Sequence, residues 1–301
     1  MPRLRAIGIL ALAALLAPAL FALDVQNAEP EANAAVPGTM NYVEGAVTIN
    51  GQFLTERSVG SAVLGPGQVL ATTNGRAEML LTPGVYLRLG HESSVRMQSP
   101  DLTNTVVDLE RGRADVEVDQ LYKENDIHVL EANVPVQLVK TGLYEFDANR
   151  GTMLVFAGEA AALKPDEKFV TVKKGHELSL TDVATAGPVR FDEASLEQSG
   201  LYRWSSLRSD YLAQANQQMA GYYGYGYGYG PGWYWDPWMF NYTFLGPWGF
   251  YSPFGWGFYP MGWGWGGFYG GFRGGYYGGF HGGGFGGFHG GGGFGGGGHG
   301  R

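Results

Sequence analysis

Between Gly65 and Met97 apolar and polar positions alternate with a period of two. Val85, Leu87 and Leu89 fall on one side of a pleated strand, Tyr86 and Arg88 on the other. Ala77, Met79 and Leu81 alternate with Glu78 and Leu80 before it, and Val95 and Met97 with Ser94 and Arg96 after it. Successive side chains of a strand point to opposite faces, so this pattern predicts short strands with one face in a core. Leu87 is placed inward. Arg88 falls on the opposite face, where a change to Asp is expected to cost far less than at Leu87. Asn74-Gly75 and Pro83-Gly84 read as turns, because glycine reaches positive φ without a Cβ clash.

The same texture runs from Thr39 to Gly187. Val43–Ile49 leads into Asn50-Gly51, a strong hairpin signal. Val106–Leu109, Ala114–Val118, Val134–Val139, Leu143–Phe146, Met153–Phe156 and Phe169–Lys173 read as further strands. Asn149-Arg150-Gly151 and Lys174-Gly175 read as turns. Gly75-Arg76-Ala77-Glu78-Met79 is echoed by Gly112-Arg113-Ala114-Asp115-Val116. That echo fits a stacked solenoid, and equally the glycine-led strands of any other all-β domain. The expected fold is an all-β domain over 39–187, solenoid-like or sandwich.

Further on the period changes. Leu201, Trp204, Leu207, Arg208, Tyr211, Leu212 and Ala215 recur at spacings of three and four, predicting one amphipathic helix within 188–220. Asp192 or Ser195 can cap its beginning, and it is expected to dock on the β domain through Trp204 and Tyr211. Residues 221–301 form a low-complexity tail holding 34 of the 51 glycines and 30 of the 43 aromatic residues. Its charged residues are Asp236, Arg273 and Arg301. So much glycine is costly to order, and the tail is expected to be largely disordered. The tryptophans Trp233, Trp235, Trp238, Trp248, Trp256, Trp263 and Trp265 offer a sticky contact surface.

At the other end, Arg3 and Arg5 precede the uncharged run Ala6–Leu23. A basic start followed by an apolar run predicts a signal peptide over 1–22, or a retained membrane anchor of just sufficient length. Residues 23–38 read as a solvated linker. The chain is therefore expected to be exported, to the periplasm or the outer cell surface, touching membrane only through an uncleaved N-terminal segment. A net charge of −8 argues against nucleic acid as a partner. The absence of cysteine excludes disulfides and thiolate zinc sites.

Chemistry-bearing patterns are sparse. His91, His128 and His176 have no orienting partner close in sequence, and Gly65-Pro66-Gly67 lacks the third glycine of a dinucleotide loop. His281, His289 and His299 sit on spacers too flexible to preform a metal site. No catalytic, cofactor-binding or metal-ligating residues are predicted, and no enzyme.

Gly67-Gln68-Val69-Leu70-Ala71-Thr72, Gly75, Ala77–Leu81, Val85–Leu89 and Ser94-Val95 stand in a telling order. They are followed by Tyr144-Glu145-Phe146, Val155–Ala160 and Val170–Gly175. In this order, residues 43–180 resemble the FecR domain family, the periplasmic portion of bacterial iron-transport regulators that pair with extracytoplasmic sigma factors. Gln68 stands where that family usually has Asp. The resemblance implies an all-β sensory domain. Family regulators carry a cytoplasmic sigma-binding segment before their membrane span, whereas five residues precede the apolar run here, so a different output is expected. The expectation is a non-enzymatic, envelope-associated protein-binding or sensory module whose partner is an envelope protein or surface polymer. The other reading is a structural surface protein that self-associates through its tail.

Overall fold

Strand β1 (Met40–Ile49) turns through Asn50 and Gly51, at φ 49° and 81°, into the short β2 (Gln52–Phe53), as the hairpin signal predicts. Strand β3 (Val69–Leu80) pairs with β1, and β4 (Val85–Leu89) follows the Pro83-Gly84 turn. The chain continues as β5 (Ser94–Asp101), β6 (Asn104–Arg111), β7 (Arg113–Val118), β8 (Ile127–Glu131), β9 (Val134–Leu138) and β10 (Gly142–Asp147). Then come β11 (Thr152–Ala157), β12 (Glu159–Leu163), β13 (Phe169–Lys173), β14 (His176–Ser179) and β15 (Val189–Arg190). The computed structural model describes residues 34–223, 231–246, 250–259 and 267–268. The expected signal or anchor segment lies outside the described residues, as do Trp248, Trp263, Trp265, His281, His289 and His299.

The long strand β3 belongs to two wings at once. Leu70 faces Val95 of β5, while Ala77 faces Leu89 of β4. One wing runs β4-β7-β10-β11-β14-β15 and the other β5-β6-β8-β9-β12-β13. Their inward residues make one apolar core: Leu87, Val116, Phe146 and Met153 from the first wing, Val95, Val107, Val129 and Ala160 from the second. This is a sandwich rather than a solenoid. The sequence echo is not structural either. Gly75 lies inside β3, not in a turn, where β1 and β3 cross so closely that a Cβ would sit 2.6 Å from the Glu44 carbonyl. Gly112 is instead the β6–β7 turn, at φ 77°.

The two wings treat their outer faces differently. In the second, Arg96, Asp108, His128 and Gln137 are half-buried between buried neighbours, the alternation the sequence predicts. In the first, β4 and β10 are buried on both faces, and Arg88 has 0% exposure. The expectation that Arg88 lies on a tolerant face is therefore wrong. The alternation is correct, but a helix and a hairpin cover that face.

Asp192 caps the short α1 (Glu193–Leu196), and α2 (Gly200–Tyr223) follows. Trp204 is buried as expected, but Leu207 and Tyr211 face outward and are exposed. The buried stripe includes Leu201, Ser205, Arg208, Ser209, Leu212 and Asn216, four of these six polar. Within the tail, β16 (Gly232–Asp236) and β17 (Asn241–Leu245) form a hairpin. Three short strands complete the described chain: β18 (Phe250–Tyr251), β19 (Gly257–Tyr259) and β20 (Gly267–Phe268). Tyr242 and Phe244 join Leu80, Tyr86, Leu212 and Ala213 in a second apolar cluster. The folded unit thus extends past residue 220 into the tail. Among the described residues no helix is long and apolar enough to cross a membrane.

Candidate functional site

A row of charged residues crosses the covered face. The strand register sets Glu78 of β3 opposite Arg88 of β4, Arg88 opposite Asp115 of β7, and Asp115 opposite Glu145 of β10. One step along lie Tyr86 and Glu117, again directly opposite one another. Period-two geometry alone puts these residues on one face. What shuts out water is α2, whose Ser205, Arg208 and Ser209, three and four residues apart, project from one side of the helix.

Most of the hydrogen-bonding capacity is used. Arg88 Nε donates to Glu78 Oε2 at 2.7 Å, and its Nη1 donates to Glu117. Arg208 Nη2 donates to Glu78 Oε1 at 2.9 Å, and Asn41 Nδ2 to the same oxygen at 2.8 Å. Ser205 Oγ donates to Asp115 at 2.6 Å, and Ser209 Oγ approaches Glu117 Oε1 to 2.8 Å. Ser252, from the turn between β18 and β19, also donates to Glu117. Asn41 grips the tail as well: its Oδ1 accepts from the Tyr242 backbone N–H at 2.6 Å and its Nδ2 donates to the Tyr242 carbonyl at 3.0 Å. Thr243 Oγ1 donates to Asn216 Oδ1 at 2.6 Å, tying β17 to α2.

The charges sort themselves. Burial pushes the Glu78 carboxyl up, but Arg208 and Arg88 outweigh it and hold it at about 2. Burial would lower the Arg88 guanidinium, yet Glu117 and Glu78 raise it. The ionised Glu78 carboxylate thus faces two guanidiniums, Arg88 and Arg208. Burial, then Glu145, lifts Asp115 well above the ordinary carboxylate range. Burial, then Glu117, does the same to Asp119, whose two carboxyl oxygens are shut off from solvent although the residue is half-buried. In both, desolvation favours the neutral form of the acid over the charged one. Glu145 is raised by burial against the opposing pull of Arg113, which pairs with it from the rim.

The predicted contact tryptophans divide. The Trp233 ring packs edge-on against Tyr86 at 5.0 Å, and Trp235 against Tyr242 at 5.2 Å. Trp235 also fills the space beside Gly60, and Trp256 packs on the second apolar cluster. These three are used inside the molecule. Trp238 is 58% exposed at the β16–β17 turn. Of the histidines, His128 does have a near partner, Asp126 Oδ1 at 2.8 Å, on the half-buried outer face of the second wing. His176 Nδ1 meets the Lys174 carbonyl at 3.0 Å, and His91 lines a cleft beside α2. Among the described residues no group of His, Asp and Glu is arranged to hold a metal ion. The sequence reading missed Asn41, Glu78, Asp115, Glu117, Ser205, Ser209 and Ser252. The signal available was charge at alternate strand positions matched by polar residues at helical spacing.

No family model matches this chain, and no curated protein matches it. Among solved structures, two crystal structures of a candidate anti-sigma factor from Parabacteroides distasonis ATCC 8503 are similar. One has a TM-score of 0.37 at 15% identity, over 44% of this chain and 64% of that one. The other has a TM-score of 0.36 at 15% identity, over 43% and 65%. The match spans less than two thirds of either neighbour, and at this level nothing about the chain follows from it.

Proposed function

We propose that this chain is a non-enzymatic, exported, FecR-like module of the cell envelope that senses or binds protein, with α2 and the tail hairpin as a removable cover over a charged face. The observation that carries this reading is the chemistry of the cover's grip. Ser205, Arg208, Ser209 and Ser252 hold it to buried carboxylates through hydrogen bonds. Water or a partner's polar groups can replace such bonds, and the apolar seam beside them, Leu212, Tyr242 and Phe244 on Leu80 and Tyr86, offers a partner apolar surface to bury in exchange. The FecR-like order of glycines and strands supports the sensory part of the reading.

The test is capture from envelope extract with the purified full chain as bait. Recovery of one defined protein at near-equal stoichiometry supports the reading, and recovery of none at any loading defeats it. A second reading, self-association through the tail, is favoured by exposed Trp238, Phe240 and Tyr251. It requires sedimentation that depends on concentration and is lost in the double variant Trp238→Ser, Phe240→Ser.

A further inference from the structure

A cleft of about 220 Å³ opens where the start of α2 meets β3, β4 and β7. Arg76, Gly90, His91, Arg113, Gly200 and Leu201 line it. Three basic residues thus line it, from β3, from the turn after β4 and from β7, in a chain of net charge −8. No carboxylate is among the lining residues.

Arg113 is already anchored. Its Nε donates to Glu145 Oε1 at 3.1 Å, and Asp147 Oδ2 lies 3.8 Å away. Arg76 is different. Its cross-strand neighbour Glu44 accepts from the Tyr42 hydroxyl at 3.2 Å and makes no ion pair with it. The Arg76 guanidinium instead sits 5.6 Å from the Trp204 ring centroid. Packing on a ring holds a guanidinium in place while leaving its N–H edge free for a planar or tetrahedral anion. The glycines shape the space. A Cβ on Gly90 would come within 3.3 Å of the Arg113 carbonyl and 3.6 Å of a Leu201 methyl. A Cβ on Gly200 would meet nothing within 4 Å, so the mouth is open.

We propose that this cleft binds a small tetrahedral oxyanion, a phosphate group, with Arg76 as its principal cation and Arg113 and His91 completing the cradle. The assignment shares α2 with the protein-binding reading, through Gly200, Leu201 and Trp204, but neither the tail hairpin nor a partner enters it.

Calorimetric titration of the full chain with inorganic phosphate, at constant ionic strength, tests it. Saturable binding to one site is expected. Arg76→Met keeps a chain against Trp204 but removes the charge, and should weaken binding at least about tenfold. Gly200→Glu builds a carboxylate into open space at the mouth and should weaken it comparably, which keeps the test decisive if Arg76→Met fails to fold. Arg96→Met makes the same charge change on the other wing and should leave binding intact. Absence of saturable heat, wild-type affinity in both cleft variants, or equal loss in Arg96→Met overturns the proposal. So does acetate that competes as well as phosphate.

Discussion

Arg88 sits between Glu78 and Glu117 with no exposure of its own, so removing its charge leaves two carboxylates facing each other in a dry layer. Breaking a buried pair by deleting one partner typically costs about 3–5 kcal/mol. Arg88→Met should therefore destabilise the protein by that order in urea unfolding. Arg96→Met, which breaks the half-exposed pair with Glu110, should cost about 1 kcal/mol or less. Equal effects would show that the covered layer is wet. A second residue-scale effect is a pH slope. Glu131 points into the sandwich with Ile127 and Val129, and burial, then Asp147, raises its carboxyl to about 8 from 4.5. Its contribution to stability is fully present below about 4.5 and is lost as pH rises through about 8, because the unfolded chain gives up that proton first. Glu131→Gln should flatten the fall in stability over that window. Glu78 acts in the opposite sense, its contribution being lost as pH drops from 4.5 toward about 2. Midpoints of urea unfolding across the pH range check both.

At the scale of elements, the strands were largely legible and the cover was not. Val85, Leu87 and Leu89, like Val95 and Met97, point inward because alternation reports the difference between two faces of a strand. It does not report what lies on the polar one. Glu78, Asp115 and Glu117 carry the residue types of a solvated face, and the α2 residues that bond to them lie 90 or more positions away in sequence. Nor did α2 reveal its inner side. Its inward stripe mixes Leu201 and Leu212 with Ser205, Arg208, Ser209 and Asn216, while Leu207 and Tyr211 face out. An apolar-stripe search then centres on the wrong arc. Asn74-Gly75 was misread because the same residues that make a turn also permit two backbones to cross closely. The double substitution Ser205→Ala, Ser209→Ala should loosen α2 specifically. Each lost hydrogen bond to a charged or buried acceptor contributes about 1–3 kcal/mol. Amide exchange should rise in Gly200–Tyr223 and stay unchanged in β5, β6, β8 and β9; uniform acceleration would mean that α2 and the second wing open together.

For the molecule as a whole, the second apolar cluster makes the tail part of the fold. Removing residues 231–301 strips Tyr242, Phe244 and Leu245 from the structure and uncovers Tyr86 and Leu80. Full burial of a large apolar side chain is worth about 1.5–3 kcal/mol. The truncated chain should therefore unfold at lower denaturant than the full chain by several kcal/mol, and α2 should lose exchange protection first. Unchanged stability would return the tail to the role of an appendage. The tryptophans should separate by the same logic. Trp233→Ser should lower stability, because its ring packs on Tyr86 and Phe244, whereas Trp238→Ser should leave the unfolding midpoint near wild type.

Asn41 holds the Tyr242 backbone through two hydrogen bonds, joining a residue at the start of β1 to one 201 positions later. In mechanical terms this is a short tether across a long loop. Tension applied from the C-terminal side meets Ser252 on Glu117 and then Asn41 on Tyr242, and at each it loads one or two bonds at a point rather than a ladder in shear. The cover would part at these points first, at low force and without tearing β1 from β3. A pull on the tail would thus be converted into exposure of the charged row while the core stays shut.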